Sequence, residues 1–599
     1  MKRFLSTLFG FGCLVLWSAT AVQAETEYQI SITAPEHHLA DIEMKFEVAA
    51  GSHQVSMPAW RSGKYQILDL ANGVRHFQVQ DATGKLLAFE KTEKSSWKFQ
   101  TETAGVVKVR YQLYANQLDQ RTRHIDDTHA YLNASAVLMY HPAQRLQPVK
   151  VQLQVPAGWR STSGMPQGDN PHQFIAANYD VLADSPIETG VHQAFTFKAD
   201  QRDYEVVIWG QGNYDAAQLV KDLQKLVAQA PSIWQGYPYQ RYVFIIHATG
   251  GAKGATEHLN STVIQRERFS FASRADYLAF LSTAAHELIH TWNVKAYRPA
   301  EMVPYDYLQP NYSKLLWISE GSTSYFQNQL LLRAGLMTHA EFYADLAKRL
   351  DRFERLPGAQ VQSVAESSFD NWISLGGDHA DNFSVNIYSE GYLVSWMLDH
   401  FILQQSGLKA SYATLHQELY RRFSQTTAFT ATDVQQIAAE LTGQSLQSFW
   451  QQQVESPLTL QADEILAAAG LQRIKAKKQQ AWTGISSKFE HGLEQISKVE
   501  RDSPAWQAGL TAEDQIIALD GLQLTEPLAN RLKVYKAEQS IKLTLFRSGR
   551  LLEKSLKLAQ LPAEPGKIEP VAAPDRQQKA YHQAWLGVAL AKPAPVKTK

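Results

Sequence analysis

The chain has 599 residues, several times the ~100–200 residues of one domain, which excludes a single compact core. Its 58 Lys and Arg residues nearly balance its 59 Asp and Glu residues, and the formal net charge is -1. No basic stripe is long enough to follow a phosphate backbone, so the composition argues against a nucleic-acid partner. A hydrophobic content of 44% argues against global disorder.

The first 24 residues are typical of a secretory signal peptide. Two basic residues precede an apolar run from Phe4 to Trp17, which gives way to small residues ending at Ala24. The run is short for a membrane span, so we expect its removal on export and no stable membrane insertion afterwards. An uncleaved N-terminal anchor is the alternative. Because the single cysteine, Cys13, lies in this segment, the mature chain has no disulfide, and we expect a periplasmic or secreted bacterial protein.

Residues 25–190 have the pattern of an all-β domain. Apolar and polar residues alternate in short segments such as Tyr28–Ile32 and Val149–Val155, and turn sequences separate them. The simplest packing for these segments is an antiparallel β-sandwich.

Residues 191–465 are predicted to form a mostly α-helical domain with a small β-sheet. An apolar strand at Tyr242–Ile246 precedes a segment in which apolar residues from Tyr277 to Trp292 fall on one helical stripe. Further helical patterns cover Leu315–Ala334, His339–Arg355, Tyr388–Gln404 and Thr432–Leu441.

The pattern turns β-like again after residue 470. A strand such as Ile541–Phe546, with short helical pieces, predicts an α+β domain over residues 470–560. Residues 561–599 are rich in Pro, Ala and Lys and are predicted to form a tail, disordered from Lys592 onward.

The strongest chemical signal is the sequence His286-Glu287-Leu288-Ile289-His290. The i to i+4 spacing in a helix brings both imidazoles to one face, where they can bind one Zn²⁺. Glu287 then lies beside the metal as the general base for a metal-activated water and as the acid for the leaving amine. A structural pair of histidines is the alternative, but chance alone gives only about 0.03 such pentapeptides in a chain of this composition.

A catalytic zinc needs a third protein ligand, and Glu320 fits this role. It follows His290 by 30 residues, at the start of a second helical pattern. Ser324, four residues further, is a candidate to orient the Glu320 carboxylate. The alternative is a solvated glutamate at a helix start.

These segments and Gly254-Ala255-Thr256-Glu257-His258 resemble the zinc-dependent glycyl aminopeptidase family, distant relatives of the thermolysin-like and alanyl aminopeptidase clan. The Trp60–Tyr65 segment also resembles part of the family's N-terminal domain. The resemblance implies a thermolysin-like zinc peptidase domain, with zinc on the two histidines and Glu320. It also implies that Glu257, on an edge strand that begins at Gly254, holds the free amine of the substrate.

The resemblance also gives roles to residues nearer the C-terminus. Tyr388 resembles the family tyrosine that hydrogen-bonds the tetrahedral oxyanion. Glu390 departs from the family pattern, in which Lys precedes Gly391, and this puts the substrate preference in doubt. Residues 470–560 resemble the PDZ domains of secreted bacterial proteases, which bind peptide C-termini as an added strand. Gly484 and Ile485 are the predicted peptide-binding residues, although that loop lacks the usual Gly-x-Gly-Phe form.

The favoured interpretation is a zinc aminopeptidase that removes small N-terminal residues, such as Gly or Ala, from peptides. One alternative is a PDZ-regulated periplasmic endopeptidase of the same clan. Another is a non-catalytic, chaperone-like module that binds peptides and holds a structural zinc. Structural zinc sites usually close all four positions with Cys or His, and the mature chain has no Cys.

Overall fold

The computed structural model describes residues 25–373, 376–424, 427–474, 480–561 and 566–592. The predicted signal peptide, with Cys13, lies outside the described residues, as does most of the segment predicted to be disordered, 593–599. Within the described ranges, no helix combines the length and the apolarity needed to cross a membrane.

The N-terminal domain is β-rich, as predicted. Its alternating strands bury one face each, and its elements are β1 Thr26–Ser31, β2 Leu39–Val48, β3 Gly51–Ser56, β4 Val74–Gln80, β5 Leu86–Leu87, β6 Phe89–Glu93, β7 Ser96–Thr101, β8 Gly105–Tyr114, β9 Asn116–Gln117, β10 Arg123–Ile125, β11 His129–Leu132, α1 Ala134–Val137, β12 Val149–Gln154, β13 Arg160–Ser163, β14 Gln173–Ala176, α2 Tyr179–Ala183 and β15 Ile187–Gly190.

These strands form three sheets around one apolar core. The orders are β14-β12-β1-β2-β8-β4-β5, β13-β15-β11-β10-β9 and β3-β7-β6. Most pairs are antiparallel, as expected for a sandwich, but β1 and β12 pair in parallel, with Tyr28 opposite Val151.

The second domain combines one five-stranded sheet with a layer of helices. Its elements are β16 Gln193–Ala199, β17 Arg202–Trp209, α3 Ala216–Val227, β18 Arg241–Thr249, β19 Gly254–Glu257, β20 Ser261–Glu267, α4 Arg274–His290, α5 Ser322–Arg333, α6 His339–Glu354, α7 Val364–Asp370, α8 Ala380–Phe383, α9 Ser389–Gln405, α10 Tyr412–Phe423, α11 Ala431–Thr442, α12 Gln447–Phe449 and α13 Ala462–Ala468.

The sheet has the order β16-β17-β18-β20-β19, so β19 is an edge strand, as predicted. It pairs antiparallel with β20, and Glu257 lies at its end opposite Thr262. The neighbouring strands β18 and β20 are parallel, and β18 is almost fully buried, so its Tyr242–Ile246 segment reads as a continuous apolar run. Helix α4 packs against β19 and β20 of this sheet and against α5, which in turn packs on α9, and all three helices share one core with the sheet.

The C-terminal part contains a third domain with its own small core. The elements from residue 471 onward are β21 Leu471–Ile474, β22 Ala481–Trp482, β23 Ile485–Glu490, β24 Leu493–Val499, α14 Pro504–Gln507, β25 Gln515–Leu519, β26 Leu522–Gln523, α15 Leu528–Arg531, β27 Ser540–Arg547, β28 Arg550–Lys557, β29 Ala559–Gln560, β30 Lys567–Pro570 and α16 Arg576–Leu586, and the third domain comprises β22 to β29. The main sheet has the order β23-β24-β25-β27-β28, with β26 paired to β25.

The prediction of a tail over residues 561–599 is corrected by the structure in its described part. Strand β30 pairs antiparallel with β21, and α16 packs on helices α9, α5 and α13 of the second domain. Tyr581 and Trp585, one helical turn apart, are buried there. A capping box between Asp575 and Gln578 starts α16, and Gly587 ends it in the left-handed conformation. The chain therefore leaves the helical domain after β21, forms the third domain, and returns.

The third domain docks on the helical domain through Arg501. Its guanidinium donates to the carbonyl oxygens of Asn382 (2.7 Å) and Pro357 (2.9 Å). The Asn382 amide in turn donates to the Val499 carbonyl at 2.8 Å. This contact lies on the segment that leads into α9.

Candidate active site

Helix α4 carries the two histidines into the domain interior. Ser273 caps its N-terminus by accepting from the Asp276 backbone N–H, and the apolar stripe of the helix is buried in the core. His286 and His290 lie one turn apart, near the C-terminal end of α4, with their Nε2 atoms 3.1 Å apart. The prediction that one helix presents both imidazoles to one point is therefore met in the structure.

Glu320 reaches the same point from a different element. It lies in a single π-helical turn, Trp317–Gly321, that leads into α5. Its Oε2 atom is 3.5 Å from Nε2 of His286 and 3.3 Å from Nε2 of His290. Burial alone would raise the pKa of Glu320, but the two imidazoles outweigh it and hold the pKa far below its usual range.

The proton positions at this cluster fit a metal ion. Nδ1 of His290 donates to the Asn293 carbonyl at 3.0 Å, and Nδ1 of His286 donates to Gln327 Oε1 at 2.8 Å. Gln327 faces that way because its Nε2 donates to Ser282 Oγ at 2.7 Å. In the neutral tautomers, both Nε2 lone pairs and a carboxylate oxygen then face one another. Three converging acceptors call for a cation, and this donor set leaves a coordination position open.

Tyr65, from the N-terminal domain, orients the Glu320 carboxylate. Its hydroxyl donates to Glu320 Oε1 at 2.8 Å, and both side chains are buried. The prediction gave this contact to Ser324, which is buried but has no hydrogen bond to Glu320 among the described residues. Since the turn containing Glu320 closes from i to i+5, a residue four positions on is not a full turn away.

Glu287 lies beside the cluster, as predicted. One of its carboxylate oxygens is within 4.8 Å of a ring nitrogen of His290 and of a carboxylate oxygen of Glu257. Burial raises the pKa of Glu287 to about 8, against the opposing charge of His286 and with help from Glu257. A cation on the three ligands would lower this pKa, because it favours the ionised carboxylate.

Glu257 presents an unsatisfied carboxylate oxygen to the same space. Its side chain is buried, Oε2 accepts from Thr256 Oγ1 at 3.3 Å, and Oε1 has no hydrogen-bond partner in the described structure. Burial alone would raise its pKa, but Lys295 and other neighbouring cations hold the pKa below its usual value. The carboxylate lies against Gly63, where a Cβ atom would stand 2.3 Å from Oε2.

Lys295 forms an ion pair with Glu257, but its hydrogen bonds go to other groups. Its Nζ donates to Asp184 Oδ1 at 2.6 Å and to Ser62 Oγ at 3.1 Å, whereas Glu257 Oε1 is 3.9 Å away. Glu257 Oε1 therefore has a cation 3.9 Å away but no hydrogen-bond partner among the described residues. Sequence reasoning missed Lys295, since its partners are distant in the chain.

Tyr388 lies over His286 at the start of α9. The two rings are stacked, with centroids 5.9 Å apart. Burial raises the pKa of Tyr388 well above its usual value, and Glu320 adds to the rise, so the phenol stays a proton donor. A close backbone contact holds α9 here: Gly391 packs against Gly321, and a Cβ atom on Gly391 would stand 2.9 Å from the Gly321 Cα atom.

The unexpected Glu390 is buried and bonded within its own turn. Its Oε2 accepts from the Asn386 backbone N–H at 2.6 Å, and a negative charge in the first turn of α9 suits the helix dipole. Burial raises its pKa. The carboxylate does not belong to the described groups of metal-ligating side chains.

An open cleft of about 460 Å³ leads to this cluster. Its walls include His286, Glu287 and Gln327 on one side and Gly254 on the edge strand β19. Gly254 has a positive φ of 131°, and a Cβ atom there would stand 2.4 Å from the Gln120 side-chain nitrogen.

The predicted peptide-binding residues lie apart from this cluster, in the third domain. Gly484 has a positive φ of 79° and packs against the Ser503 side chain. Ile485 begins β23, an edge strand that pairs with β24 alone among the described strands. An edge strand is the element to which an added peptide strand can pair.

Comparison with known proteins agrees with this geometry. Residues 27–191 match the family model described as the Peptidase M61 N-terminal domain, and residues 279–394 match the model described as M61 glycyl aminopeptidase. The second range contains His286, Glu287, His290, Glu320 and Tyr388. No curated protein matches the chain.

The crystal structure of an aminopeptidase N family protein from Idiomarina loihiensis is similar to most of this chain. It is 27% identical with a TM-score of 0.86, and the match covers 94% of this chain and 100% of that chain. Together with the family-model matches, this shows that the chain is an enzyme, a peptidase of the aminopeptidase class and therefore a hydrolase.

Two further structures are more distant. An M1 zinc metallopeptidase from Deinococcus radiodurans is 13% identical with a TM-score of 0.44, covering 70% of this chain and 91% of that chain. Yeast LTA4 hydrolase in complex with bestatin is 12% identical with a TM-score of 0.46, covering 75% and 70%. Structural similarity at this level is not used in concluding that the chain is a peptidase.

Proposed function

We propose that the chain is a zinc-dependent aminopeptidase that removes small N-terminal residues, such as Gly or Ala, from peptides. The observation that carries this proposal is the unsatisfied Oε1 of Glu257, a buried, ionised carboxylate within 4.8 Å of Glu287 and His290. A peptide's N-terminal ammonium is a cation of the right size and charge for it. The match to a glycyl aminopeptidase model supports the preference for small residues.

His286, His290 and Glu320 would hold the zinc. Two imidazoles and one carboxylate, each oriented by a hydrogen bond, are a typical donor set for a catalytic zinc. When bound, zinc polarises the scissile carbonyl and acidifies a water molecule.

Three side chains of the protein carry out the remaining steps. Glu287 takes the proton from the attacking water and passes it to the leaving amine. The Tyr388 phenol, which stays protonated, donates to the oxyanion as its charge develops. Glu257 holds the ammonium, so the first peptide bond lies at the metal and longer N-terminal extensions are excluded.

The test is the replacement Glu257→Gln, measured with free and N-acetylated aminoacyl substrates. Because the variant loses a charge-assisted hydrogen bond to the substrate ammonium, we expect kcat/KM for the free substrate to fall at least about 30-fold. Rates on the acetylated substrate should stay low and unchanged. Glu267→Gln is the matched control, since Glu267 lines the same cleft and should leave both rates unaltered.

The outcome also separates aminopeptidase from endopeptidase action. If the unmodified enzyme cleaves acetylated and free substrates equally well, and Glu257→Gln changes neither rate, Glu257 has no part in binding the amine. The proposal would then be replaced by an endopeptidase with an open cleft.

We further propose that the enzyme is exported to the periplasm and that residues 480–560 form a PDZ domain that binds peptide C-termini. The free edge of β23, which begins at Ile485, and the turn at Gly484 support this assignment. Labelled peptides should bind when they end in a carboxylate and fail to bind when amidated. Equal affinity for both forms would contradict a PDZ mode of binding.

Export is tested by cell fractionation, and a cytoplasmic protein retaining residues 1–24 would contradict it.

A further inference from the structure

A second cluster of metal-ligating groups lies where the N-terminal domain meets the sheet of the helical domain. It is formed by His124, Asp126 and His129, around the turn between β10 and β11. Nδ1 of His124 is 3.0 Å from Nε2 of His129 and 4.0 Å from Asp126 Oδ2. The three potential ligand atoms lie within 4.8 Å of one another.

The types of ligand are those of the proposed catalytic site, although the carboxylate oxygen lies further from the imidazole of His124, at 4.0 Å. In the proposed catalytic site, two imidazole nitrogens are 3.1 Å apart and the carboxylate oxygen is 3.3 and 3.5 Å from them. Both clusters offer two imidazoles and one carboxylate. The second cluster has no residue in common with the first.

His129 is oriented as metal-binding histidines usually are. Its Nδ1 atom donates to Glu188 Oε1 at 2.8 Å, and both side chains are fully buried. A neighbouring ring, Trp209, stacks on its imidazole with centroids 3.5 Å apart. The Nε2 atom of His129 is therefore held in place with its lone pair toward His124 and Asp126.

The Asp126 carboxylate is held in place through Oδ1, the oxygen that does not face the histidines. Oδ1 accepts from the backbone N–H of Thr128 at 2.8 Å and from that of His129 at 3.0 Å. This turn leaves Oδ2 available on the side of the histidines. Side chains of His124 and Asp126 remain 13% and 26% exposed, so an ion in solvent can reach the cluster.

We propose that His124, Asp126 and His129 form a second metal site, for a divalent transition metal such as Zn²⁺. Two imidazoles and one carboxylate suit an ion of this class better than Ca²⁺ or Mg²⁺, which prefer oxygen ligands. Glu188 also bonds His247 of β18 at 3.0 Å, so the site is linked to the helical domain. An ion bound there would strengthen the contact between the two domains.

The test measures zinc content per chain, after loading with Zn²⁺ and dialysis against metal-free buffer. We expect two zinc ions for the unmodified enzyme and one for His124→Gln, with kcat unchanged and a smaller rise of the melting temperature on zinc addition. His124→Gln should leave the Asp126 turn intact. The double variant that combines His124→Gln with Asp126→Asn should also bind one zinc ion per chain.

His53→Gln is the matched control. Nδ1 of His53 lies 3.4 Å from Nε2 of His141 in the same domain, but no carboxylate of the described metal-ligating groups joins them. This variant should keep two zinc ions. One ion in both the unmodified enzyme and His124→Gln would overturn the proposal, as would two ions in both. Neither result depends on which substrate the enzyme cleaves.

Discussion

The Tyr65 hydroxyl joins two domains at the metal cluster through one hydrogen bond. The hydroxyl donates to Glu320, and loss of this hydrogen bond would leave the Glu320 carboxylate free to rotate. We predict that Tyr65→Phe lowers zinc affinity about 10–100-fold, which is typical of groups that orient metal ligands. Competition with a chelator of known affinity measures this change.

Tyr28→Phe provides the control for Tyr65→Phe. Tyr28 is equally buried, but its hydroxyl donates to the Met139 carbonyl inside the N-terminal domain. This variant should keep the zinc affinity of the unmodified enzyme. Equal affinities for all three proteins would show that Tyr65 does not orient the ligand.

Functional groups with local spacing could be predicted from the sequence, whereas those with distant partners could not. The His286, Glu287 and His290 motif is contained in one helix, so its geometry follows from the helical repeat. Tyr65 and Lys295 act through residues up to 255 positions away. No local pattern encodes such contacts, although the Trp60–Tyr65 segment did indicate a resemblance.

Helix α16 is the element whose role the sequence did not indicate. Trp585 is buried, donates from Nε1 to the Tyr325 hydroxyl at 2.8 Å, and stacks on Trp396. Tyr325 in turn donates to the buried Asp399 at 2.5 Å. The C-terminal helix thus completes the core behind α5, the helix that follows Glu320.

We predict that Trp585→Ala lowers the free energy of unfolding of the helical domain by about 3–5 kcal/mol, through the cavity it leaves. Denaturant unfolding followed by circular dichroism measures this loss. Trp506→Ala, at a tryptophan that is 41% exposed in the third domain, should cost far less. Similar losses for both variants would mean that α16 does not stabilise the core.

At the element scale, signals for α16 were present but were masked by composition. The Pro, Ala and Lys content around it predicts a tail, whereas the capping box at Asp575 and the pair Tyr581 and Trp585 predict a helix. Its eleven residues are stable because they pack on a partner, which a helix of this length requires. That partner is formed by residues far away in the sequence.

Over the whole molecule, stability should depend on pH through buried neutral histidines. Burial lowers the pKa of His416 to about 3, and its Nδ1 is bonded to the Tyr297 hydroxyl at 2.7 Å. The unfolded chain, with a histidine pKa near 6.5, takes up the proton first, so stability falls as pH drops below about 6.5.

We predict that His416→Gln makes this fall shallower, by about 2 kcal/mol between pH 7.5 and pH 5. Denaturant unfolding at several pH values measures the slope, and the value of each protein at pH 7.5 serves as its own reference. An unchanged slope would show that His416 is not kept neutral by its surroundings.

The domain architecture could be predicted in outline but not in its connections. Alternating and helical periodicities indicated a β-rich domain followed by a helical one, because each pattern reports how one face is buried. The return of the chain through β30 pairs segments about 95 residues apart in a two-stranded sheet. Short strands of this kind carry too little pattern to be recognised.

In the proposed mechanism, Glu287 transfers the proton at a metal held by His286, His290 and Glu320. The most direct test compares hydrolysis of a free alanyl substrate, and zinc content, for the unmodified enzyme and Glu287→Gln. We predict equal zinc content and a kcat reduced at least about 100-fold in the variant, because the general base is lost while every ligand remains. Hydrolysis by Glu287→Gln at the unmodified rate, with the same zinc content, would show that Glu287 is not the general base.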